Sequence, residues 1–225
     1  MILELRALSF ESVRGIYTIR GQKNRMPDRA LFLAPDAAAS FLSIADLVTV
    51  SDMLRTPEAS LAAVRAKRGA QPPGYSAHNY GLAIDVDIRA TMRTMEAPSK
   101  RDLDAQLAAY GWRCHRLDGK MGFEAWHYNY LPGVITVGVT RTSSFIEAEI
   151  QRRYGAHFVL SDREIQARLR MLSMYRGELD GEIGPLSREA LRAFQRAWGL
   201  RENGATDART QRTLALVTAG RELSW

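Results

Sequence analysis

The chain has 225 residues, 46% of them hydrophobic and 25% charged. That is enough apolar material for a packed core and excludes global disorder, and the length suits one large domain, or one of about 150 residues with a small companion. The net charge of +6 is spread over both halves without the basic stripe by which a nucleic-acid reader is recognised, so no nucleic-acid partner is expected, and the lone Cys114 excludes an intrachain disulfide.

A diffuse positive charge suits either weak attraction to an anionic polymer such as a cell envelope or a plain arginine-rich surface. The N-terminus, MILELRALSFESVRGIYTIRG, alternates apolar and charged residues and lacks the apolar core of a secretory signal. Synthesis in the cytoplasm without a signal peptide is therefore expected. No run of about 18 apolar residues occurs, so no membrane insertion is expected.

Pro35 to Leu47 reads as a helix, with Ala38, Phe41, Leu42 and Ala45 at helical spacing. LVTV, Leu47 to Val50, is a short β-type run. Glu58 to Arg68 reads as a helix with Leu61, Ala62 and Val64 on its apolar side, ended by Gly69 and Pro72-Pro73-Gly74. Leu82 to Ile88 alternates, which predicts a half-buried strand with Asp85 and Asp87 on its open face. Ser99 caps a helix running to Tyr110, with Leu103, Leu107 and Tyr110 inward. Trp112 to Cys114 and Ala125 to Tyr130 read as strands around a turn at Asp118-Gly119. Cys114 is read as core and His157 as surface or linker.

A connector follows, with a polar β-prone stretch from Thr136 to Ser144 and a helix from Phe145 to Tyr154. Ser161 and Glu164 form a capping box, and Ile165, Leu169 and Leu172 make the stripe of the helix it opens. Ser187 is expected to cap a second helix carrying Ala190, Leu191, Phe194 and Trp198. A third helix begins at Thr206 or Asp207 and carries Leu214 and Val217. The expected fold class is α+β: a small antiparallel-sheet domain over 1–135, a connector over 136–160 and an all-α three-helix domain over 161–225.

The chemistry concentrates in SAHNYGLAID, Ser76 to Asp85, and EAWH, Glu124 to His127. Zinc accepts His nitrogen and carboxylate oxygen, and a catalytic site takes three protein ligands and keeps a position open. His78, Asp85 and His127 supply such a set, which leaves Glu124 as general base. Glu124 and His127 cannot share a face of a regular strand, so Glu124 is expected at a bend where the strand begins. Gly81 permits close backbone approach. Tyr80, Trp126 and Tyr128 are expected to wall the cleft. Ser76 reads either as a hydrogen-bond partner of substrate or ligand, or as a turn cap, and Asp87 as a supporting or surface acid.

Ser76-x-His78-x-x-Gly81-x-Ala83-x-Asp85 followed by Glu124-x-Trp126-His127 resembles the zinc D-alanyl-D-alanine carboxypeptidases of the VanY type, a family that includes D-Ala-D-Ala dipeptidases and phage L-alanyl-D-glutamate endopeptidases. The resemblance covers roughly residues 30 to 133. It implies Zn2+ held by His78, Asp85 and His127, with Glu124 as catalytic base. It also implies a carbonyl-contacting arginine, and SDMLRTPE makes Arg55 the candidate, although the family's preceding Gly-Tyr is absent. Ala125 and Asn129 stand where the family often has proline and arginine.

Ser161 to Val217 is similar to the three-helix peptidoglycan-binding domain. Asp180-Gly181, Gly184-Pro185, Ala190, Phe194-Gln195, Gly204 and Thr210 match its pattern, and Asp207 replaces a common glycine. Together the two resemblances imply a zinc endopeptidase of bacterial peptidoglycan, and a monomer is expected. By analogy it is a phage endolysin that reaches the host wall after release. The rivals are a bacterial D,D-carboxypeptidase that trims terminal D-Ala and a non-catalytic wall-binding or virion protein.

Overall fold

In the computed structural model, which describes residues 4–8, 29–66, 71–114, 124–134 and 142–220, Pro35 opens the first helix, α1 (Pro35–Leu42). Proline suits that place because its missing N–H would be unpaired there in any case. The strands before it, β1 (Arg6–Ala7), β2 (Arg29–Ala30) and β3 (Phe32–Leu33), are two residues each, and β1 pairs antiparallel with β3. Ala37, Ala38 and Phe41 are the buried face of α1. Its Ser40 hydroxyl donates to the Tyr110 carbonyl at 2.6 Å and accepts from Trp112 Nε1 at 3.2 Å.

Strand β4 (Val50–Asp52) begins at Val50, later than the LVTV run suggests, because residues 43–47 turn after α1. β5 (Leu54–Arg55) pairs with β2. α2 (Pro57–Arg65) buries Ser60, whereas Val64 is 37% exposed and Ala62 is also exposed, so the apolar side expected for this helix is not its buried side. One turn of 3-10 helix, Ala77–Tyr80, is buried throughout and leads into β6 (Ala83–Val86).

All four residues of β6 are buried, so the expected open face is absent. The strand lies inside an antiparallel sheet of order β4-β6-β8-β7, where β7 is Trp112–Cys114 and β8 is His127–Tyr130. It ends at Val86 because Asp87 caps a new helix, α3 (Ile88–Thr94), by accepting from the Ala90 N–H at 3.0 Å. Asp87 is therefore a helix cap rather than an acid of the site. Ser99 caps α4 (Lys100–Ala109) through the Asp102 N–H, and Leu103 and Leu107 point inward. Tyr110 is the C-cap and 41% exposed, not inward as its spacing suggests. Cys114 is only partly buried, with Lys100 Nζ and the Ala125 carbonyl as neighbours. The turn expected at Asp118-Gly119 lies outside the described residues, as does most of the stretch from Thr136.

The described residues form two compact units, one of 4–8, 29–59, 75–114, 124–134 and 142–150, the other of 60–66, 71–74 and 151–220. α5 (Thr142–Tyr154) runs from the first into the second, and a 3-10 turn, Gly155–Phe158, follows it, with His157 exposed. The remaining helices are α6 (Asp162–Met171), α7 (Pro185–Ala197) and α8 (Ala208–Val217). Both arms of the Ser161–Glu164 capping box are formed. Gly184 is the cap of α7 and Pro185 its first residue, while Ser187 sits inside the helix, 1% exposed, instead of capping it. The fold is α+β, a small antiparallel sheet with helices and a helical C-terminal region.

The loops between these three helices repeat one hydrogen-bonding pattern. Gln166, fully buried in α6, donates from Nε2 to Asp180 Oδ1 (2.6 Å), the Glu182 carbonyl (3.0 Å) and Ser187 Oγ (3.2 Å), and accepts from the Gly181 N–H. Gln195, fully buried in α7, donates to Asn203 Oδ1 (2.9 Å), the Ala205 carbonyl (3.0 Å) and Thr210 Oγ1 (3.1 Å), and accepts from the Gly204 N–H. Asp180-Gly181-x-x-x-x-x-Ser187 and Asn203-Gly204-x-x-x-x-x-Thr210 are thus equivalent loops, each folded around a buried amide whose polar atoms are all satisfied.

Candidate metal centre

The register of the sheet assembles the site. Asp52 of β4 stands opposite Asp85 of β6, and Asp85 stands opposite His127 of β8. His78 comes from the 3-10 turn before β6. Its ligand-grade nitrogen, a carboxylate oxygen of Asp85 and a ring nitrogen of His127 lie within 4.8 Å of one another. His78 Nε2 is 3.1 Å from Asp85 Oδ1 and 3.1 Å from His127 Nδ1, and His127 Nδ1 is 2.9 Å from Asp85 Oδ1.

The protons on the two rings are set from outside the cluster. His78 Nδ1 lies 2.5 Å from the Met53 carbonyl, which can only accept, so this nitrogen carries the hydrogen. His127 Nε2 lies 3.0 Å from Asn129 Oδ1 and carries its hydrogen there. In the neutral rings, His78 Nε2 and His127 Nδ1 therefore turn bare lone pairs toward a carboxylate oxygen. Three acceptors at this spacing match the edges of a tetrahedron around zinc, roughly 3.3 Å for bonds of about 2.0–2.1 Å. One cation satisfies all three lone pairs at once, and the outer hydrogen bonds hold each ring in the required tautomer. The residues present fit a divalent metal.

Electrostatics agree with that reading. Burial works to raise the Asp85 pKa, but when protons take the cation's place on the rings, the charge of His78 and the hydrogen bonds then donated by His127 and His78 outweigh it and hold the carboxyl far below the usual carboxylate range. Burial works to lower the His127 pKa, and it is overcome by the hydrogen bond and charge of Asp85, the charge of Glu124 and the hydrogen bond to Asn129, so the net shift is upward. The cluster is a negative, nearly enclosed spot that attracts positive charge.

Glu124 lies in the turn of residues 124–126 that leads into β8, and its carbonyl accepts from the His127 N–H at 3.0 Å. Arg55 reaches the same place from β5. Its Nη2 is 2.7 Å from Asp52 Oδ2 and 3.6 Å from Asp85 Oδ2, and its side chain is 17% exposed. Asn79 Nδ2 ties the Arg55 backbone to the His78 turn at 2.8 Å. Trp126 is 42% exposed in the Glu124 turn.

Two of the expected cleft walls are core residues instead. Tyr80 and Tyr128 are fully buried, and the Tyr128 hydroxyl is committed to Asp104 Oδ1 at 2.7 Å. Tyr80 belongs to a turn that is buried throughout, and Tyr128 alternates with His127 along β8, so it points to the other face. Ser76 is 7% exposed at the start of the 3-10 turn and makes no side-chain capping bond. Sequence reasoning missed Asp52, Asn129 and the Met53 carbonyl as parts of the site. Asn129 has a signal, since it sits two residues after His127 on the same strand face. The Met53 carbonyl has none.

Comparison with known proteins gives two family matches. Residues 47–133 match VanY, D-alanyl-D-alanine carboxypeptidase, and residues 161–214 match the peptidoglycan binding domain family. No curated protein matches the chain. The first match spans Asp52, Arg55, His78, Asp85, Glu124 and His127, and the second spans both glutamine-centred loops. The chain thus combines a stretch that matches the VanY D-alanyl-D-alanine carboxypeptidase family with a C-terminal stretch that matches the peptidoglycan binding domain family.

Proposed function

We propose that the chain is a zinc-dependent peptidase that hydrolyses amide bonds in peptidoglycan stem peptides or crosslinks, acting as an endopeptidase and serving as a phage endolysin. The observation that carries the zinc reading is the convergence of His78 Nε2, Asp85 Oδ1 and His127 Nδ1 with their protons turned away. Three protein ligands are what a catalytic zinc takes, where a structural zinc takes four, which weighs against a wall-binding protein with a purely structural metal. A bound zinc ion would polarise the scissile carbonyl and acidify water at the site.

The chain's own groups supply the rest. Glu124 accepts the proton of the attacking water and returns it to the leaving amine. The Arg55 guanidinium, held by Asp52, faces the negative charge that develops on the carbonyl oxygen. The peptidoglycan-binding domain keeps the enzyme on the polymer, which favours internal cuts and action at the cell wall. Among the described residues no helix is long and apolar enough to cross a membrane. The description of the matched family favours a second reading, a D,D-carboxypeptidase that removes the terminal D-Ala.

Digestion of purified sacculi by the parent chain and by Glu124→Ala, with mass spectrometry of the released fragments, tests both. New peptide ends made by the parent alone, and suppressed by a chelator, are expected. A split crosslink or an L-Ala–D-Glu cut supports the endopeptidase, and loss of single D-Ala residues supports the carboxypeptidase. Absence of cleavage with retained binding of sacculi overturns the peptidase reading.

A further inference from the structure

The two glutamine-centred loops set α7 and α8 in the same register. Ser187 and Thr210 are equivalent, so Leu186, Glu189, Ala190 and Ala193 of α7 correspond to Arg209, Arg212, Thr213 and Leu216 of α8. On α8 this stripe is covered: Arg212, Thr213 and Leu216 are buried, and the Arg212 guanidinium lies over the Phe158 ring at 5.0 Å. On α7 the equivalent Leu186, Glu189 and Ala193 are exposed and, with Ala190 buried between them, line a cavity of about 320 Å³ facing residues 174–177. Leu186 on its rim is 64% exposed. Arg176 and Glu189 are exposed and carry opposite charges, and Ala190 and Ala193 keep it open between them. Tyr175 beneath is 5% exposed, its hydroxyl committed to the Glu178 carbonyl at 2.7 Å. The volume is at the small end of ligand sites, and the cavity lies wholly inside the stretch that matches the peptidoglycan binding domain family.

We propose that this α7 groove is where the C-terminal domain holds peptidoglycan, and that its occupant is the stem peptide rather than the glycan. The proposal rests on the wall-polymer reading above. A stem peptide carries small alanyl methyl groups, free carboxylates and an amine-bearing or amidated side chain. The methyl groups suit a floor of Ala190 and Ala193 beside Leu186, a carboxylate pairs with Arg176 and an ammonium or amide with Glu189. The covered copy on α8 shows that this stripe in this fold accepts packed chain, there the turn containing Phe158.

The test uses the full chain with Glu124→Ala, so that the polymer is not digested, and measures co-sedimentation with purified sacculi. Ala193→Arg, an exposed helix position where arginine is well tolerated, fills the groove and is expected to weaken binding about tenfold or more with an unchanged melting temperature. Arg176→Ala should weaken binding more than Arg201→Ala, which removes the same charge from outside the groove. A soluble stem peptide should displace the protein, and an N-acetylated oligosaccharide should not. Equal binding by the parent and Ala193→Arg overturns the groove and leaves the wall reading standing, and displacement by the oligosaccharide alone overturns the choice of occupant. Failure of the parent to sediment with sacculi overturns both readings.

Discussion

Asp85 and His127 stand directly opposite each other across β6 and β8, and Asp85 Oδ1 meets His127 Nδ1 at 2.9 Å. Cross-strand pairing fixes this contact before any metal arrives, and Asn129 Oδ1 keeps the ring proton on the far nitrogen. Adding Zn2+ to the chelator-treated protein is therefore expected to raise the melting temperature, because a ligand that binds only the folded state stabilises it. Asp85→Asn should abolish the rise. Asn129→Leu, which touches no ligand atom of the cluster, should weaken zinc affinity by roughly 10–100-fold through loss of ring orientation. Competition against a chromogenic chelator measures this, and unchanged affinity in Asn129→Leu removes that residue from the site.

Arg55 is held in two directions, by Asp52 at 2.7 Å and toward Asp85 at 3.6 Å. Asp52 is 1% exposed, so removing one partner leaves a poorly solvated charge behind. Asp52→Ala is expected to destabilise the protein by about 3–5 kcal/mol. Arg55→Ala should keep its bound zinc and lose about 10²–10³ in kcat on sacculi if the guanidinium stabilises developing charge. Undiminished turnover in Arg55→Ala, with the stability loss alone, would reduce Arg55 to a structural ion pair.

Gly81 closes the His78 turn with φ near +64°, and a Cβ there would lie 2.7 Å from the Ala34 backbone nitrogen and 2.9 Å from the Leu33 carbonyl carbon. The Ala34 N–H also donates to the Gly81 carbonyl at 2.9 Å, so neither segment is free to retreat. Gly81→Ala is expected to cost more than the roughly 1–2 kcal/mol of the left-handed conformation alone. It should lower zinc affinity as well, since the turn carries His78. Chemical denaturation with and without metal separates the two effects.

Much of this site was legible in the sequence because its donors sit in two short segments. His78 and Asp85 are seven residues apart, Glu124 and His127 three, and the incompatibility of the latter pair with one strand face correctly placed Glu124 in a turn. What could not be read was burial. Alternation in Leu82 to Ile88 suggested an open face, but β6 has a neighbour on each edge and side chains packed on both faces, so Tyr80 and Tyr128 belong to the core. Ile88 continued the alternation by coincidence and begins a helix, for which the Asp87 cap was the overlooked signal. Ser187 resembles a cap in the sequence because the true start, Gly184-Pro185, carries no side-chain acceptor. The repeated loops are hidden in the sequence because Gln166 and Gln195 stand 14 and 8 residues from Asp180 and Asn203, their respective acceptors.

The Ser161–Glu164 capping box makes the start of α6 sensitive to pH. The Ser161 hydroxyl, at 2.7 Å, is the main cause that lowers the Glu164 pKa below its ordinary 4.5, followed by the Ser161 N–H at 2.9 Å, with slight burial acting in the opposite sense. A carboxyl whose folded-state pKa lies below its unfolded value binds fewer protons when folded. Its stabilising contribution is therefore complete above pH 4.5 and disappears as the pH falls through the folded-state value. Melting of the parent chain and of Glu164→Gln, followed by helical circular dichroism, should differ at pH 7 and draw together as the pH falls below 4.5. Acid release of metal affects both proteins alike and cancels in the comparison. Ser161→Ala should narrow the pH 7 difference in its own background, because the carboxylate then keeps only the backbone bond. A difference that stays undiminished throughout the acid titration would mean that Glu164 acts through packing rather than through the charge on its carboxylate.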